Sequence, residues 1–251
     1  MIQPPERAEA ARRALACLDL TDLSETADEA GAERLCTRAV TPYGPVAAVC
    51  LWPRFVARAK AALHGQAVRV ATVANFPEGG EDTSAVLREV EATLADGADE
   101  IDLVMPYRAF LDGRPGVAET QILQVRRAIP HERALKVILE TGRLGNPERV
   151  RKAARLAIEA GADFVKTSTG KTEVGATLEA AGAMLGAIRE SGARTGLKVS
   201  GGVRTIEDAA AYLDLAARMM GEGWTTPQTF RIGASGLIDA LLSELAILQN
   251  A

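Results

Sequence analysis

Short β-branched runs alternate with longer, Ala-rich amphipathic stretches along the chain, and this alternation constrains the fold more than any other feature. It is typical of repeated βα units on a parallel sheet. The runs lack strict polar alternation, which indicates strands that are covered on both faces. Strands are predicted over 46–52, 67–74, 100–105, 134–140, 163–168, 196–200 and 230–233, and helices over 53–64, 82–97, 117–129, 147–160, 177–192, 206–219 and 236–248.

An eighth strand is available near the start, where Leu18-Asp19-Leu20-Thr21 follows a first helix. The chain has 251 residues, of which 47% are hydrophobic, and this is enough to close one large core. The pattern therefore predicts a single α/β domain over residues 1–251, a (β/α)₈ TIM barrel with an N-terminal helix. A doubly wound open sheet is the structural alternative. It seldom carries eight units in a domain of this length, and no GxGxxG follows the first long strand.

Charge and apolar content disfavour several kinds of partner. The net charge is −4 and no run of Lys or Arg forms a basic stripe, so nucleic acid is not an expected partner. No stretch approaches about 18 uninterrupted apolar residues, so no membrane association is expected. The start, MIQPPERAEAARR, has no apolar signal core, and Cys17, Cys36 and Cys50 form no CxxC pair. We expect reduced thiols and a cytoplasmic location.

The two histidines, His64 and His131, each stand alone among helix-like or loop-like residues. A His-based metal site or a Ser-His-Asp triad is therefore not expected. We predict that the protein uses no metal and no other cofactor. Its mild acidity does not argue against a phosphorylated substrate, because a few local donors can hold a small anion.

Two strand lysines carry the strongest chemical signal. Lys166 lies inside an apolar run, and Lys198 occupies the next predicted strand, one βα unit later. Both should lie near the carboxyl ends of neighbouring strands, where barrel active sites are built. Two ammonium groups ~4 Å apart, at an effective dielectric of ~20, repel by ~4 kcal/mol, so we expect each lysine to depress the pKa of the other. A lysine brought near neutrality can attack an aldehyde carbonyl.

One strand lysine alone is usually a solvated or snorkelling residue, but two that are one unit apart, each before a glycine-containing loop, favour function. Asp102 is the third member, because an apolar strand run encloses its carboxylate and a buried carboxylate needs a cation nearby. A structural ion pair with a lysine is one interpretation. We favour the other, in which Asp102 holds Lys198 charged and relays protons through water.

Asp19 and Thr21 are candidates to orient a substrate hydroxyl, although Asp19 could equally cap the following helix. Glycine-bearing loops follow the last three predicted strands. Their backbone N–H groups can approach an anion, and helices that start after the last two loops favour its charge. The sequence therefore predicts a phosphate site at the ends of strands 7 and 8. The loops are Gly170-Lys171, Gly201-Gly202-Val203-Arg204 and Gly233-Ala234-Ser235-Gly236.

From Leu18 to about Ile247 the sequence resembles the deoxyribose-phosphate aldolase family, and the lysine-strand and GGVRT segments are specific in combination. This resemblance implies reversible cleavage of 2-deoxy-D-ribose 5-phosphate to D-glyceraldehyde 3-phosphate and acetaldehyde, in deoxynucleoside breakdown, without a metal. The matching segments are LDLTDL (18–23), AAVCLWPRF (47–55), ATVANFPEG (71–79), EIDLVMPYR (100–108), ILETG (138–142), GADFVKTSTGK (161–171), GLKVSGGVRT (196–205) and FRIGASG (230–236).

The resemblance also implies roles for individual residues. It places the Schiff base on Lys166, its electrostatic partner at Lys198 and a proton relay at Asp102. Cys50 matches a cysteine of some relatives and is expected to line the pocket without reacting. The residues expected to bind the substrate and its phosphate are Thr169, Lys171, Gly201, Gly202, Gly233 and Ser235.

Two departures from the family pattern matter. Relatives of this branch often end in a mobile tail with a terminal tyrosine that assists proton transfer, whereas here the last tyrosine is Tyr212. A contribution of the tail is therefore in doubt. In addition, Gly236 stands where a serine is common, which removes one hydroxyl donor from the phosphate loop.

Other functions remain open at this point. A different Schiff-base aldolase or a transaldolase of a phosphorylated sugar is the nearest alternative. A non-catalytic barrel that only binds a phosphorylated metabolite is the second, although such a protein has no use for two apposed lysines. The oligomeric state is open, with a homodimer as one option.

Overall fold

The computed structural model describes residues 4–249 and contains a closed parallel barrel of eight strands. Each strand pairs with its sequence neighbours, and the last strand pairs with the first. The predicted (β/α)₈ barrel is confirmed, with every predicted strand present. The strands are β1 (Leu18–Asp22), β2 (Ala48–Leu51), β3 (Arg69–Ala74), β4 (Glu100–Val104), β5 (Ala134–Ile138), β6 (Phe164–Lys166), β7 (Gly196–Ser200) and β8 (Phe230–Ala234).

The helices surround the barrel, and the apolar core lies between them and the outward faces of the strands. The N-terminal helix α1 packs on α10 and α11. No helix among residues 4–249 is long and apolar enough to cross a membrane. The helices are α1 (Pro4–Ala16), α2 (Glu29–Ala39), α3 (Val56–Ala62), α4 (Thr83–Ala95), α5 (Tyr107–Leu111), α6 (Pro115–Ala128), α7 (Thr141–Leu144), α8 (Pro147–Glu159), α9 (Leu178–Ser191), α10 (Ile206–Met220) and α11 (Leu237–Gln249).

Three helices were not predicted from the sequence. Helices α5 and α7 have only five and four residues, which is too short to show a helical period. Helix α2 begins in an acidic, polar stretch and is fixed by Asp28, whose side chain accepts the N–H of Gly31. A hairpin of two-residue strands follows it, and the predicted helix 53–64 starts as a 3₁₀ turn at Pro53–Phe55.

The register of the barrel strands places charged residues side by side. Paired residues on adjacent strands point to the same face of a sheet. Asp102 on β4 is opposite Lys136 on β5, and Lys166 on β6 is opposite Lys198 on β7. Lys198 is in turn opposite Arg231 on β8. The barrel interior is therefore lined with charge, whereas the outer face of each strand packs on apolar helix residues.

Candidate active site

Six buried charged side chains form a closed ring of alternating sign inside the barrel, which we call the ion-pair ring. Lys198 Nζ lies 2.8 Å from Asp102 Oδ2 and 2.5 Å from Asp19 Oδ2. Arg231 continues from Asp19, at 2.6 Å, to a carboxylate oxygen of Glu100, at 2.8 Å. Lys136 Nζ closes the ring, 2.6 Å from Glu100 and 2.7 Å from Asp102. The members are Asp102, Lys198, Asp19, Arg231, Glu100 and Lys136.

Lys166 is attached to the ion-pair ring without belonging to it. Its Nζ lies 2.8 Å from Asp102 Oδ2, the oxygen that also accepts from Lys198. The ring already balances three cations with three carboxylates, so a charged Lys166 would be a seventh, uncompensated charge in a region where every ring member is at most 5% exposed. Isolated buried charge is expensive, and a buried group commonly neutralises instead. Charge balance therefore favours a neutral amine at Lys166.

The direction of each lysine pKa agrees with this balance. Burial lowers the pKa of Lys166 more than the carboxylate of Asp102 raises it, and the charge of Lys198 lowers it further. For Lys198, burial acts in the same direction, but the carboxylates of Asp102 and Asp19 outweigh it and raise the pKa. The expected mutual repulsion therefore leaves only the pKa of Lys166 lowered, while that of Lys198 is raised. Lys198 has a second carboxylate of its own, and Lys166 has none.

Asp102 and Lys136 are held in their charged forms. Burial alone would raise the pKa of Asp102, but Lys136, Lys166 and Lys198 together hold it well below its usual range. The pKa of Lys136 is raised because Asp102 and Glu100 overcome its burial. Asp102 thus accepts hydrogen bonds from the Nζ atoms of three lysines, so the interpretation as a simple pair with one lysine does not describe it.

Half of the ion-pair ring was missed by the sequence analysis. Lys136, Glu100 and Arg231 lie in predicted strands, but none was singled out. Lys136 carries the signal that identified Lys198, since it also stands among apolar residues of a strand. Arg231 carries a similar one, in Phe230-Arg231-Ile232. Glu100, the first residue of β4, resembles an ordinary strand boundary and had no such signal.

Two predicted substrate residues lie in the barrel interior instead. Asp19 caps no helix and does not line the cavity above the lysines, because Lys198 and Arg231 occupy its two oxygens. The structure therefore places Asp19 in the ion-pair ring and not in the cavity wall, where it was expected to orient a substrate hydroxyl. Cys50 is fully buried in a small apolar cluster and does not line the cavity either. Burial raises the pKa of its thiol, which agrees with an unreactive residue.

A cavity of about 390 Å³ opens above Lys166 at the carboxyl ends of β1, β6, β7 and β8. Lys166 reaches it from below and is 3% exposed. The predicted phosphate loops supply much of its wall, together with residues 21–24. The predicted residues that line it are Thr21, Thr169, Lys171, Gly201, Gly202, Gly233 and Ser235.

Gly233 and Lys171 occupy the cavity wall for different structural reasons. Gly233 lets β8 approach β7 closely, because a Cβ there would lie 2.2 Å from Ser200 Oγ and 3.1 Å from Lys198 Cε. Lys171 extends across the cavity, and its Nζ donates to the carbonyl of Leu23 at 2.7 Å. Arg204 also lines the cavity, on the loop that leads into α10. Two helix starts and two basic side chains therefore surround this space.

The described residues contain no group of three or more His, Cys, Asp or Glu side chains arranged to hold a metal ion. The three cysteines are free and buried. Lys166 has a lowered pKa, whereas those of Lys136 and Lys198 are raised, so Lys166 is the one of these three amines that is suited to add to a carbonyl carbon. The fold and the site thus define the class of barrel aldolases that act through a lysine imine.

Comparisons with known proteins agree with this class. A family model described as DeoC/LacD family aldolase matches residues 13–238. A deoxyribose-phosphate aldolase from Agrobacterium fabrum (strain C58) is 51% identical over 239 residues, covering 95% of this chain and 92% of that protein. A solved structure from Coccidioides immitis, assigned as a deoxyribose-phosphate aldolase, is 33% identical with a TM-score of 0.83, covering 93% of this chain and 86% of that one. The chain belongs to the DeoC/LacD aldolase family.

A more distant structure shares the fold. Deoxyribose phosphate aldolase from Aeropyrum pernix is 23% identical, with a TM-score of 0.78, and covers 98% of this chain and 100% of its own. That enzyme is described as a tetramer of unique structure.

Proposed function

We propose that the protein is a deoxyribose-phosphate aldolase, which cleaves 2-deoxy-D-ribose 5-phosphate reversibly to D-glyceraldehyde 3-phosphate and acetaldehyde. The observation that carries the proposal is the balanced ion-pair ring with Lys166 outside it. The 51% identity to the Agrobacterium fabrum enzyme supports the choice of substrate. The reaction belongs to deoxyribonucleotide breakdown.

Lys166 acts as the nucleophile. Its neutral amine adds to C1 of the open-chain sugar to give a carbinolamine, which takes up one proton from water in the cavity and loses water to leave a protonated imine. A base then removes the proton of the C3 hydroxyl, the C2–C3 bond breaks, and its electron pair moves toward the imine nitrogen. Glyceraldehyde 3-phosphate leaves, the enamine carbon C2 takes up a proton, and water releases acetaldehyde from the lysine.

The ion-pair ring keeps the surroundings of this amine fixed. Burial, together with the charge that Lys198 keeps, lowers the pKa of Lys166 and favours the neutral amine that attacks. Asp102 is within hydrogen-bond distance of both amines and passes protons between them, and Lys166, which reaches the cavity, connects this exchange to a water there. Asp19 takes no direct part and holds Lys198 from its other side.

The rim of the cavity binds the phosphate. Lys171 supplies a positive charge, and the Gly201-Gly202 loop and residues Gly233 and Ser235 offer backbone N–H groups. Phosphate at the ends of the seventh and eighth strands is a recurrent feature of barrels. The sugar then spans from Lys166 below to this rim above, with Thr21 and Thr169 in the cavity wall between them.

The chain works as one domain in the cytoplasm, with a small phosphorylated sugar as its partner and without nucleic acid, membrane or cofactor. A homodimer is the smallest assembly that we propose, and the tetramer of the Aeropyrum pernix enzyme makes a larger one worth measuring.

A panel of donors and acceptors tests the function. The purified protein, assayed in the presence of EDTA, should cleave 2-deoxyribose 5-phosphate and release acetaldehyde. In the reverse direction it should accept acetaldehyde as donor in preference to ketones such as dihydroxyacetone. A preference for a ketone donor would instead assign a transaldolase or another aldolase. Binding without turnover on every donor would assign a non-catalytic barrel, and restoration by Mg²⁺ or Zn²⁺ after EDTA would contradict the metal-free reaction.

A further inference from the structure

A strained carboxylate lies beside the cavity, and the mechanism above does not use it. Glu140 follows β5 and is fully buried. Its backbone has φ 55° and ψ 60°, the left-handed conformation that residues with a side chain rarely adopt. Such conformations persist where the surrounding structure enforces them, and they cluster at functional sites.

The side chain of Glu140 holds the loop that carries Lys171. Thr169 donates its hydroxyl to Glu140 Oε2 at 2.5 Å, and its backbone N–H points to the same carboxylate, at 3.3 and 3.4 Å. The hydroxyl of Thr172 lies 3.3 Å from Oε1 and 3.2 Å from the carbonyl of Val174, so these two acceptors share its one proton. One carboxylate thus receives the groups on both sides of Lys171. These donors are neutral, so Glu140 is satisfied by the loop and depends on it.

The direction of these hydrogen bonds fixes the backbone of Lys171. A carboxylate only accepts, so the hydroxyl proton of Thr169 must point toward Glu140. The oxygen of that hydroxyl is then free to accept the backbone N–H of Lys171, at 3.0 Å. The Lys171 side chain leaves this fixed point and crosses the cavity to Leu23.

The far end of the same loop is tied to the second phosphate loop. The N–H of Ala176 lies 2.9 Å from the carbonyl of Gly201. Gly175 permits this approach, because a Cβ there would lie 2.4 Å from that carbonyl oxygen. The loop also packs on the residues after Glu140, since a Cβ on Gly142 would lie 2.4 Å from the carbonyl of Val174. Residues 169–176 therefore bridge Glu140 to the Gly201 loop.

We propose that Glu140 is a positioning residue for the phosphate end of the substrate, acting through Thr169 to place Lys171. This inference rests on the proposed function and assigns to Glu140 a part in phosphate recognition. It predicts that loss of the carboxylate lowers the preference for phosphorylated over plain 2-deoxyribose. A residue that acted only in folding, or in proton transfer at Lys166, would affect both substrates alike.

The test compares Glu140→Gln with Glu173→Gln, an exposed carboxylate of the same loop. In Glu140→Gln one oxygen becomes an NH₂ group, which must face a donor. We expect the ratio of kcat/KM for 2-deoxyribose 5-phosphate to that for plain 2-deoxyribose to fall about tenfold, mainly through KM of the phosphorylated sugar. Glu173→Gln should keep the wild-type ratio. An unchanged ratio in Glu140→Gln, or an equal loss on both substrates, contradicts the proposal.

Two further measurements keep the test decisive. Thr169→Val removes the relaying hydroxyl and leaves Glu140 in place, so it should lower the same ratio, and the double variant should lose no more than the larger single loss. Amide hydrogen exchange at Lys171 should become at least about tenfold faster in Glu140→Gln and stay unchanged in Glu173→Gln. Exchange needs no substrate. A wild-type protein that fails to cleave the sugar therefore overturns the proposed function, whereas unchanged exchange overturns the positioning role.

Discussion

The barrel interior and the cavity rim handle charge in opposite ways. In the interior, ionised side chains on strands neutralise one another in the ion-pair ring, with Asp102 and Lys198 fully buried. At the rim, glycine loops and the ends of helices surround a cavity that is open to solvent. Exclusion of water shifts the pKa of an ionisable side chain. An anion, in contrast, is bound most readily where backbone N–H groups can approach it. The interior therefore suits chemistry on the amine, and the rim suits affinity for phosphate.

This contrast gives each region its own kinetic signature. Changes in the interior should alter kcat and its pH dependence for any sugar. Changes at the rim should alter KM and the preference for the phosphorylated sugar, and leave the formation of the imine intact. A rim variant that alters kcat for both sugars, or an interior variant that alters only KM for the phosphorylated sugar, would show that this division is wrong.

The largest effect is expected for Lys166→Arg. A guanidinium stays protonated and cannot form the imine, so turnover should fall to background on phosphorylated and plain sugar alike. Steady-state assays of both substrates measure this. Lys152→Arg, an exposed position on α8, is the matched control and should retain activity. Appreciable turnover by the Lys166 variant would place the nucleophile elsewhere.

Lys198→Met should change the pH dependence of imine formation. Without Lys198 the buried carboxylates outnumber the remaining ring cations, so Lys166 must carry a proton to restore the balance. Because only the neutral amine attacks, the rate of imine formation rises with pH, and its midpoint should move to higher pH in the variant. The rate of acetaldehyde trapping at each pH gives this midpoint, with Lys152→Met as the control. A midpoint that stays in place or moves to lower pH would contradict the charge balance.

At the rim, Lys171→Ala removes one charge from the proposed phosphate site. Charge-assisted hydrogen bonds contribute roughly 1.5–3 kcal/mol, so kcat/KM for 2-deoxyribose 5-phosphate should fall about tenfold or more relative to that for plain 2-deoxyribose. Parallel assays of the two sugars measure the ratio. An equal loss on both would move Lys171 from phosphate binding to chemistry or folding.

Gly236→Ser should give the smallest effect and the only gain. The backbone of Gly236 is not left-handed, and a Cβ there meets no atom within 4 Å, so a serine fits. The serine hydroxyl is an uncharged donor on a loop that is open to solvent, so we expect its bond to the phosphate to contribute about 0.5–1.5 kcal/mol, which corresponds to a KM for the phosphorylated sugar lower by about two- to tenfold. Gly223→Ser, at a similarly open position, is the control. A higher KM would show that the loop has no room for the hydroxyl beside the phosphate.

The fold and the pair of lysines could be predicted because both depend on spacing along the chain. One βα unit separates Lys166 from Lys198, so their strands had to be neighbours. The closure of the ion-pair ring could not be predicted in this way. Arg231 meets Asp19 across 212 residues, and the contact depends on the register at which the last strand pairs with the first.

The opposite pKa shifts of Lys166 and Lys198 could not be predicted from the sequence either. They depend on which carboxylate oxygens each amine reaches, and Asp19 was expected to cap a helix or to meet the substrate. The sequence analysis included Glu140 only as part of the segment ILETG (138–142), because no sequence pattern marks a glutamate whose backbone is left-handed. The two last residues, Asn250 and Ala251, lie outside the described part of the chain, and with them the end of the tail that lacks a tyrosine.

The central claim is that Lys166, and no member of the ion-pair ring, forms the imine. Incubation of the wild-type protein with acetaldehyde and borohydride, followed by peptide mapping, tests it most directly. The account predicts a single ethyl group on the peptide that contains Lys166, and none at Lys136 or Lys198, whose pKa values are raised. An ethyl group on either of those two lysines, with Lys166 unmodified, would contradict it.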